Sequence, residues 1–191
     1  MSAQAVFYFD LASPLAYLAS EQVMQLLGAP VDWQPVLSHR LADARVQAPS
    51  REHIAERARQ LGLQQLRWPS PFPFDSSLAM HAATYAASIG RAIPFAQAAF
   101  RQAFAGGHNL EQADFVLIAA AACEMHPKAV IKGAALRSTA AELDRATAAA
   151  AALGIADVPA LAVGERLFLG EHALEDACAH RGERATPSRS Q

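Results

Sequence analysis

The hydrophobic and polar positions near the start of the chain alternate between a strand pattern and a helix pattern. Residues 5–9 form an unbroken apolar run that predicts a buried strand. Ser13 and Pro14 match the N-cap and first position of a helix, which we expect to continue to about Leu27. A second apolar run at 31–37 predicts another strand. The opening of the chain is therefore predicted to be a β-α-β unit.

After Ser50 the pattern becomes helical through the middle of the chain. Ser50 is the predicted N-cap of a helix that stops at Gly62. A proline-rich connector at 68–73 follows, and Asp75 or Ser76 is predicted to begin the next helix. Further helices are predicted from alanine-rich stretches at 79–88, 95–105, 113–123 and 139–153, and from Pro127, which suits a first helical position.

Near the end of the chain, a Val158-Pro159 step precedes two short apolar segments. Residues 160–163 and 166–169 predict a β-hairpin. A proline at the entry to a strand is most often trans and structural, but it can be held cis, with the preceding residue offering its backbone to an extended peptide. A helix that begins at Ser13 and such a turn together resemble the two halves of a thioredoxin-type active site.

The chemistry usual for that type of site is missing. No Cys-x-x-Cys motif follows the first strand, and the two cysteines, Cys123 and Cys178, lie far from it in sequence. We therefore expect no disulfide oxidoreductase activity through this turn. Each cysteine is followed closely by a histidine, His126 and His180, but the pairs lack the four-ligand spacing of a zinc site, so no metal is expected.

Length and composition are those of an ordinary globular protein. The 191 residues are 52% hydrophobic and carry a formal net charge of -2, which suits one domain or a domain with a sizeable insertion. The lack of a basic stripe argues against nucleic-acid binding. We recognise no secretory signal and no apolar run long enough to span a bilayer, so we expect no membrane association and a cytoplasmic location.

Four sequence landmarks occur in the order found in one protein family. They are residues 9–19, 72–79 and 104–110, and the Val158-Pro159 step followed by 167–170. With these landmarks the chain resembles the 2-hydroxychromene-2-carboxylate isomerases and the kappa-class glutathione transferases, which belong to the DsbA-like branch of thioredoxin folds.

The resemblance implies an α/β fold in which a thioredoxin-like, DsbA-like domain carries an all-helical insertion. Residues 1–45 and 155–181 would form the discontinuous thioredoxin-like domain, 46–154 the helical insertion and 182–191 a flexible tail. The resemblance also implies glutathione as the cofactor, a small aromatic substrate and a homodimer.

The implied function is that of a glutathione-dependent isomerase of the 2-hydroxychromene-2-carboxylate isomerase type. The glutathione thiolate would add reversibly to an aromatic or conjugated small molecule, so that the cofactor is not consumed. Two alternatives stay open. One is a kappa-like glutathione transferase, and the other is a non-catalytic DsbA-like binding protein that has lost glutathione binding.

Ser13 is the catalytic residue that the resemblance implies, as a hydrogen-bond donor to the thiol of glutathione. An independent physical argument agrees, because a helix N-terminus and a hydroxyl donor both lower the pKa of a thiol from its usual value of about 8.5. The alternative is that Ser13 only caps the helix, as serine before proline commonly does. Val158, next to Pro159, would pair with the cysteine of glutathione through its backbone.

Two positions in the candidate site depart from the family pattern. Asp157 stands where relatives usually have glycine. Glu171 and His172 follow Gly170 where relatives carry an acidic residue that holds the ammonium group of the γ-glutamyl arm, and Glu171 is the expected substitute because a histidine is a poor partner for a cation. The candidate cofactor-binding residues are therefore Ser13, Asp157, Val158, Pro159, Glu171 and His172.

Candidates for substrate binding come from the need of a carboxylate substrate for a nearby cation. Arg40 and Arg67 could supply it, although solvated surface arginines are commoner. Asp75 stands where relatives often carry asparagine, and its alternative role is to cap the following helix. Four aromatic residues either line a substrate pocket or belong to the core: Trp33, Trp68, Phe72 and Phe74.

Overall fold

Both ends of the chain contribute to one four-stranded sheet. The computed structural model describes residues 5–41 and 49–185 of the protein. The sheet consists of β1 (Ala5–Phe9), β2 (Val31–Pro35), β3 (Ala160–Val163) and β4 (Arg166–Leu169), in the order β2-β1-β3-β4. The predicted first strand, the predicted second strand and the predicted hairpin are therefore all present.

Strand β1 lies at the centre of the pairing that positions the site. It pairs parallel with β2 and antiparallel with β3, and β3 pairs antiparallel with β4. In this register Tyr8, near the end of β1, lies opposite Ala160, at the start of β3. The chain that leaves β1 and the chain that enters β3 therefore lie side by side.

Helices make up most of the segment between the second and third strands, as predicted. One of them, α6, continues directly into a π-helical segment at Arg101–Ala105. The helices of the described residues are α1 (Pro14–Ser20), α2 (Val23–Leu27), α3 (Ser38–Leu41), α4 (Arg51–Gln60), α5 (Ser77–Ser88), α6 (Ala92–Phe100), α7 (Ala113–Ala122), α8 (Pro127–Ala134), α9 (Arg137–Ala152) and α10 (Ala173–Ala185).

The helix predicted from Pro14 to Leu27 is divided into α1 and α2. Two side chains at the division bind other parts of the fold: Glu21 forms an ion pair with Arg101 at 2.8 Å, and the Gln22 amide donates to the Leu61 carbonyl at 3.2 Å. These partners are distant in sequence, so the apolar period of the segment does not reveal the break.

Strand β2 ends at Pro35, two positions before the predicted end. The Leu37 N–H donates to the Thr147 hydroxyl on α9 at 3.0 Å instead of to a neighbouring strand. The short helix α3 follows, and its first residue, Ser38, binds the carboxylate of Asp10. The end of β2 is thus fixed by contacts with α9 and with the turn after β1.

Caps and prolines place the helices of the middle segment where the sequence predicts them. The Ser50 hydroxyl accepts from the His53 N–H at 3.2 Å and caps α4, and Pro127 is the first residue of α8. Helix α6 packs on the sheet through Phe100, whose ring centroid lies 5.8 Å from that of Phe9. The core therefore runs without a break from the sheet into the helical segment.

The described residues reach past one of the predicted boundaries. Helix α10 extends to Ala185, so residues 182–185 of the predicted flexible tail are helical. The remainder of that tail, 186–191, lies outside the described residues, as do 1–4 and 42–48. The division into a discontinuous domain and an insertion stays a prediction.

Candidate functional site

Ser13 both caps α1 and contacts the turn before β3. Its hydroxyl oxygen accepts from the Ala16 N–H at 3.1 Å, which satisfies one of the free N–H groups at the helix start. The same hydroxyl donates to the Val158 carbonyl at 3.2 Å. The capping role proposed as an alternative for Ser13 is therefore present, and it leaves the hydroxyl hydrogen directed at the second half of the predicted site.

The Val158–Pro159 step is held against the start of α1 by the pairing of β1 with β3. Its peptide bond is cis, and Val158 is 2% exposed. The predicted juxtaposition of a helix N-terminus with a proline turn is thus observed, and it joins residues that are 145 positions apart in the chain.

Asp157 caps the backbone of its own neighbour. The Val158 N–H donates to Asp157 Oδ1 at 2.7 Å. Burial raises the pKa of the Asp157 carboxyl, the negative charge of Asp10 raises it further, and the hydrogen bond from Val158 opposes both by lowering it. Asp157 therefore has a higher proton affinity than an ordinary surface carboxylate.

Asp10 supports the turn that leads from β1 to Ser13. It is fully buried, and its carboxylate accepts from the Ala12 N–H at 2.9 Å and from the Ser38 N–H and hydroxyl at 2.8 and 2.9 Å. The Asp10 carbonyl accepts from the Ser13 N–H at 3.0 Å. Asp10 thus fixes the backbone that presents Ser13. The sequence analysis included Asp10 in a motif but did not predict this supporting role.

A cleft of 320 Å³ lies beside the Val158 turn. Its volume falls within the range of small-ligand sites. The lining combines apolar side chains with ionisable ones that point to binding of a polar molecule. The principal apolar residues are Leu15, Val158 and Leu169, and the ionisable residues are Asp157, His53 and Glu171.

Glu171 is already engaged at one wall of this cleft. Its Oε2 lies 2.5 Å from Nε2 of His53, and its Oε1 lies 3.4 Å from Nε2 of His172. The hydrogen bond with His53 is the main cause of a pKa for Glu171 below its usual range. Glu171 is therefore an ionised carboxylate in the cleft, while His172 is the more exposed of its two histidine neighbours.

His53 and Arg57 were missed by the sequence analysis. They lie one turn apart on α4, where the Arg57 guanidinium donates to the Glu171 carbonyl at 3.2 Å and forms an ion pair with Glu175. Their spacing places His53 and Arg57 on one face of α4. The Ser50 cap predicts that helix but not what its face contacts. The contact of this face with the start of α10 depends on the tertiary fold, and no local sequence signal predicts it.

Two of the candidate substrate-binding residues, Arg40 and Asp75, have structural partners elsewhere. Arg40 forms an ion pair with Asp144 on α9, and both side chains are exposed. The Asp75 carboxylate accepts from the Ser77 N–H and hydroxyl at 2.8 and 2.5 Å, which lowers its pKa and satisfies the start of α5. Neither residue is among those found to line the cleft. These placements match the surface and capping alternatives, and a substrate-binding role for either residue stays a prediction.

The aromatic candidates divide into two groups. Trp33 and Phe74 are buried in the core. Trp68 and Phe72 are half-buried, with their ring centroids 4.9 Å apart, and the Arg51 guanidinium lies 4.8 Å from the Trp68 centroid. Arg51 follows Ser50 at the start of α4, so this cation lies close in the chain to the cleft residue His53.

Neither cysteine has the environment of a reactive thiol. Cys123 is buried, Cys178 is half-buried, and both are free. Burial raises the pKa of each thiol, which disfavours the thiolate that disulfide chemistry needs. Within residues 5–41 and 49–185, no group of three or more potential metal ligands is gathered. None of the helices in the same part of the chain is long and apolar enough to cross a membrane.

A helix N-terminus that faces a cis-proline turn, across the end of a mixed four-stranded sheet, defines the thioredoxin class of fold. The chain belongs to the family of DsbA-like thioredoxin domains, whose family model matches residues 4–179. The predicted fold class is confirmed, and so is the predicted place of the chain in the DsbA-like branch of thioredoxin folds. A sequence search of curated proteins finds no match.

Solved structures with the same fold span almost the whole chain. A 2-hydroxychromene-2-carboxylate isomerase superposes with a TM-score of 0.82 at 18% identity, covering 95% of both chains. A probable DsbA oxidoreductase from Streptomyces coelicolor gives 0.76 at 17% identity, covering 99% of this chain and 94% of its own. The cytosolic disulfide reductase DsbM from Pseudomonas aeruginosa, solved with GSH, gives 0.68 at 15% identity, covering 95% of this chain and 98% of its own. At these identities the likeness concerns the fold.

Proposed function

We propose that this protein binds glutathione in the cleft beside Val158 and acts as a glutathione-dependent isomerase of a conjugated small molecule. The observation that carries the proposal is the Ser13 hydroxyl, which caps α1 and is directed at the Val158 carbonyl at 3.2 Å. A serine in this position offers a hydroxyl donor and the positive end of a helix to a ligand sulfur. The absence of Cys-x-x-Cys favours an activity in which the thiol comes from the ligand.

The residues of the cleft fit the parts of glutathione. Val158 offers backbone groups to the cysteinyl residue in the manner of an added strand. Glu171 offers a carboxylate to the ammonium group of the γ-glutamyl arm. When bound, glutathione supplies the thiolate that adds to and leaves a conjugated carbon of the substrate. The likeness to a 2-hydroxychromene-2-carboxylate isomerase and to a reductase solved with GSH supports this choice of ligand and reaction.

The surroundings of α4 support a proposal for the substrate class. Arg51 places a guanidinium over Trp68, and Phe72 lies beside that ring. An aromatic surface beneath a cation suits a planar molecule that carries a carboxylate. We therefore expect aromatic carboxylates with a conjugated carbonyl group to be the substrates.

The test is calorimetric titration of glutathione into the wild type, Ser13→Ala and His126→Ala. The His126 ring accepts from the Lys128 N–H and caps α8, so its removal controls for loss of a helix cap outside the cleft. We expect saturable binding that weakens about tenfold in Ser13→Ala, the usual worth of a hydrogen bond to a charged group, and is unchanged in His126→Ala. The ultraviolet absorbance of the bound thiolate is expected to titrate at higher pH in Ser13→Ala.

A second candidate function is a binding protein that does not use glutathione. The observation that favours it is the engagement of Glu171 by His53 at 2.5 Å, which occupies the carboxylate that the γ-glutamyl arm requires. Absence of heat from millimolar glutathione, with the wild type folded, would select this candidate over the isomerase. Turnover of 2-hydroxychromene-2-carboxylate only in the presence of glutathione would select the isomerase.

A further inference from the structure

The two backbone groups of Val158 that an added strand would use are both occupied by side chains of the protein. The carbonyl accepts from the Ser13 hydroxyl at 3.2 Å, and the N–H donates to the Asp157 carboxylate at 2.7 Å. We propose that Asp157 shields the Val158 N–H, so that a peptide ligand must displace its carboxylate to enter the cleft. This inference rests on the proposed function, in which glutathione pairs with the Val158 backbone.

The two occupied groups differ in what their displacement releases. When the cysteinyl N–H of a ligand takes the Val158 carbonyl, the Ser13 hydroxyl hydrogen becomes free to donate to the sulfur. When the cysteinyl carbonyl takes the Val158 N–H, the Asp157 carboxylate loses its donor inside a partly buried site. Displacement of Ser13 therefore helps the ligand, and displacement of Asp157 opposes it.

The charges around Asp157 make its displacement unfavourable as an anion. Asp10 lies close enough to raise the pKa of Asp157. Glu171 adds a second carboxylate to the lining of the same cleft, and His53 is the histidine in that lining. Glutathione brings two further carboxylates and a thiolate. A displaced Asp157 is therefore more favourable in its protonated form, which carries no charge and gives up the Val158 N–H readily.

Binding is then linked to proton uptake. The hydrogen bond from Val158 lowers the pKa of Asp157 in the free protein, and this contribution is lost when a ligand takes the N–H. The pKa of Asp157 is consequently higher in the complex than in the free protein. Affinity for a ligand without a titrating thiol is expected to increase as the pH falls through the range in which Asp157 takes up its proton.

The experiment measures calorimetric Kd values for glutathione and for S-methylglutathione, which keeps the peptide backbone and has no thiol to titrate. The proteins are the wild type, Asp157→Ala, Asp157→Asn and Asp114→Asn, an exposed carboxylate in the first turn of α7 that serves as control. We expect Asp157→Ala to bind both ligands about tenfold more tightly than the wild type at neutral pH. The affinity of Asp157→Asn is expected to lie between those of the wild type and Asp157→Ala, without the pH dependence that the wild type shows with S-methylglutathione. Asp114→Asn is expected to match the wild type.

A second measurement does not depend on the ligand. In nitrogen-labelled wild type, the amide resonance of Val158 is expected to shift as Asp157 titrates, and its hydrogen exchange is expected to accelerate in Asp157→Ala. Circular dichroism of each variant establishes that it is folded.

The outcomes separate the inference from the proposed function. Equal affinities for wild type and Asp157→Ala, or a Val158 amide that does not respond to Asp157, would overturn the shield and leave glutathione binding intact. Binding by Asp157→Ala alone would establish the shield and overturn the wild type as a glutathione enzyme. Absence of binding by every variant would overturn both.

Discussion

The carboxylate of Asp10 accepts two hydrogen bonds from Ser38, one from the backbone N–H at 2.8 Å and one from the hydroxyl at 2.9 Å. This contact joins the turn after β1 to the start of α3, and Asp10 is fully buried. The carboxylate also accepts from the Ala12 N–H, so three donors depend on one side chain.

Asp10→Ala is expected to lower the free energy of unfolding by about 3 kcal/mol, because it leaves three partly buried donors without an acceptor. The measurement is urea unfolding followed by circular dichroism. Asp144→Ala removes an exposed carboxylate that pairs with Arg40 and is expected to cost less than about 1 kcal/mol. Similar losses in the two variants would contradict the structural role assigned to Asp10.

Local signals predicted the parts of the fold that depend on capping and on proline. Ser13, Ser50 and Pro127 each mark a helix start that the structure has. The break after α1 was missed because Glu21 and Gln22 bind partners far along the chain. Sequence patterns report on near neighbours, whereas these contacts exist only once the sheet and helices have come together.

The same division holds for the candidate site. Ser13 and Val158 were predicted as its two halves because each lies in a motif with its own sequence signal. The pairing of His53 with Glu171 joins residues 118 positions apart, and the family pattern that contains Glu171 gives no sign that His53 is its partner. Burial by the tertiary fold likewise decides the proton affinity of Asp157.

Asp157 is expected to make stability depend on pH. Its folded-state pKa is raised, so the native protein holds this proton more tightly than the unfolded chain does. The associated stabilisation is fully present below the unfolded pKa of about 3.9 and is lost as the pH rises through the folded pKa. Asp157→Asn is therefore expected to be more stable than the wild type at neutral pH, with the difference vanishing in acid. Thermal unfolding across this pH range measures it, and a constant difference would show that the charge of Asp157 is not the cause.

Glu171 and His53 are expected to have opposite effects on glutathione binding. Glu171→Gln removes the carboxylate proposed for the ligand ammonium group and should weaken binding about tenfold. His53→Phe keeps a ring in the cleft but releases Glu171, so binding should tighten several-fold. Calorimetry measures both effects, and Glu165→Gln, in the exposed turn between β3 and β4, is the control. Weaker binding in His53→Phe would identify His53 as a ligand contact instead of a competitor for Glu171.

Gly133 allows α8 to approach α5. A Cβ at this position would overlap the ring of Tyr85. Gly133→Ala is expected to destabilise the protein by about 1 to 3 kcal/mol, although alanine favours a helix over glycine by about 1 kcal/mol. In a double-mutant cycle measured by urea unfolding, Gly133→Ala is expected to cost much less stability when Tyr85 is already replaced by alanine. Equal costs of Gly133→Ala in both backgrounds would place the strain elsewhere.

The position of β1 between β2 and β3 determines when the cleft comes into existence. Ser13 and Val158 become neighbours only after synthesis has passed Val158 and β3 has added to the sheet. A nascent or truncated chain therefore offers no complete cleft, and a ligand of this cleft recognises the finished fold alone. Such a ligand stabilises the entire molecule in proportion to the logarithm of its concentration above Kd, which makes a rise in melting temperature a general screen for what this protein binds.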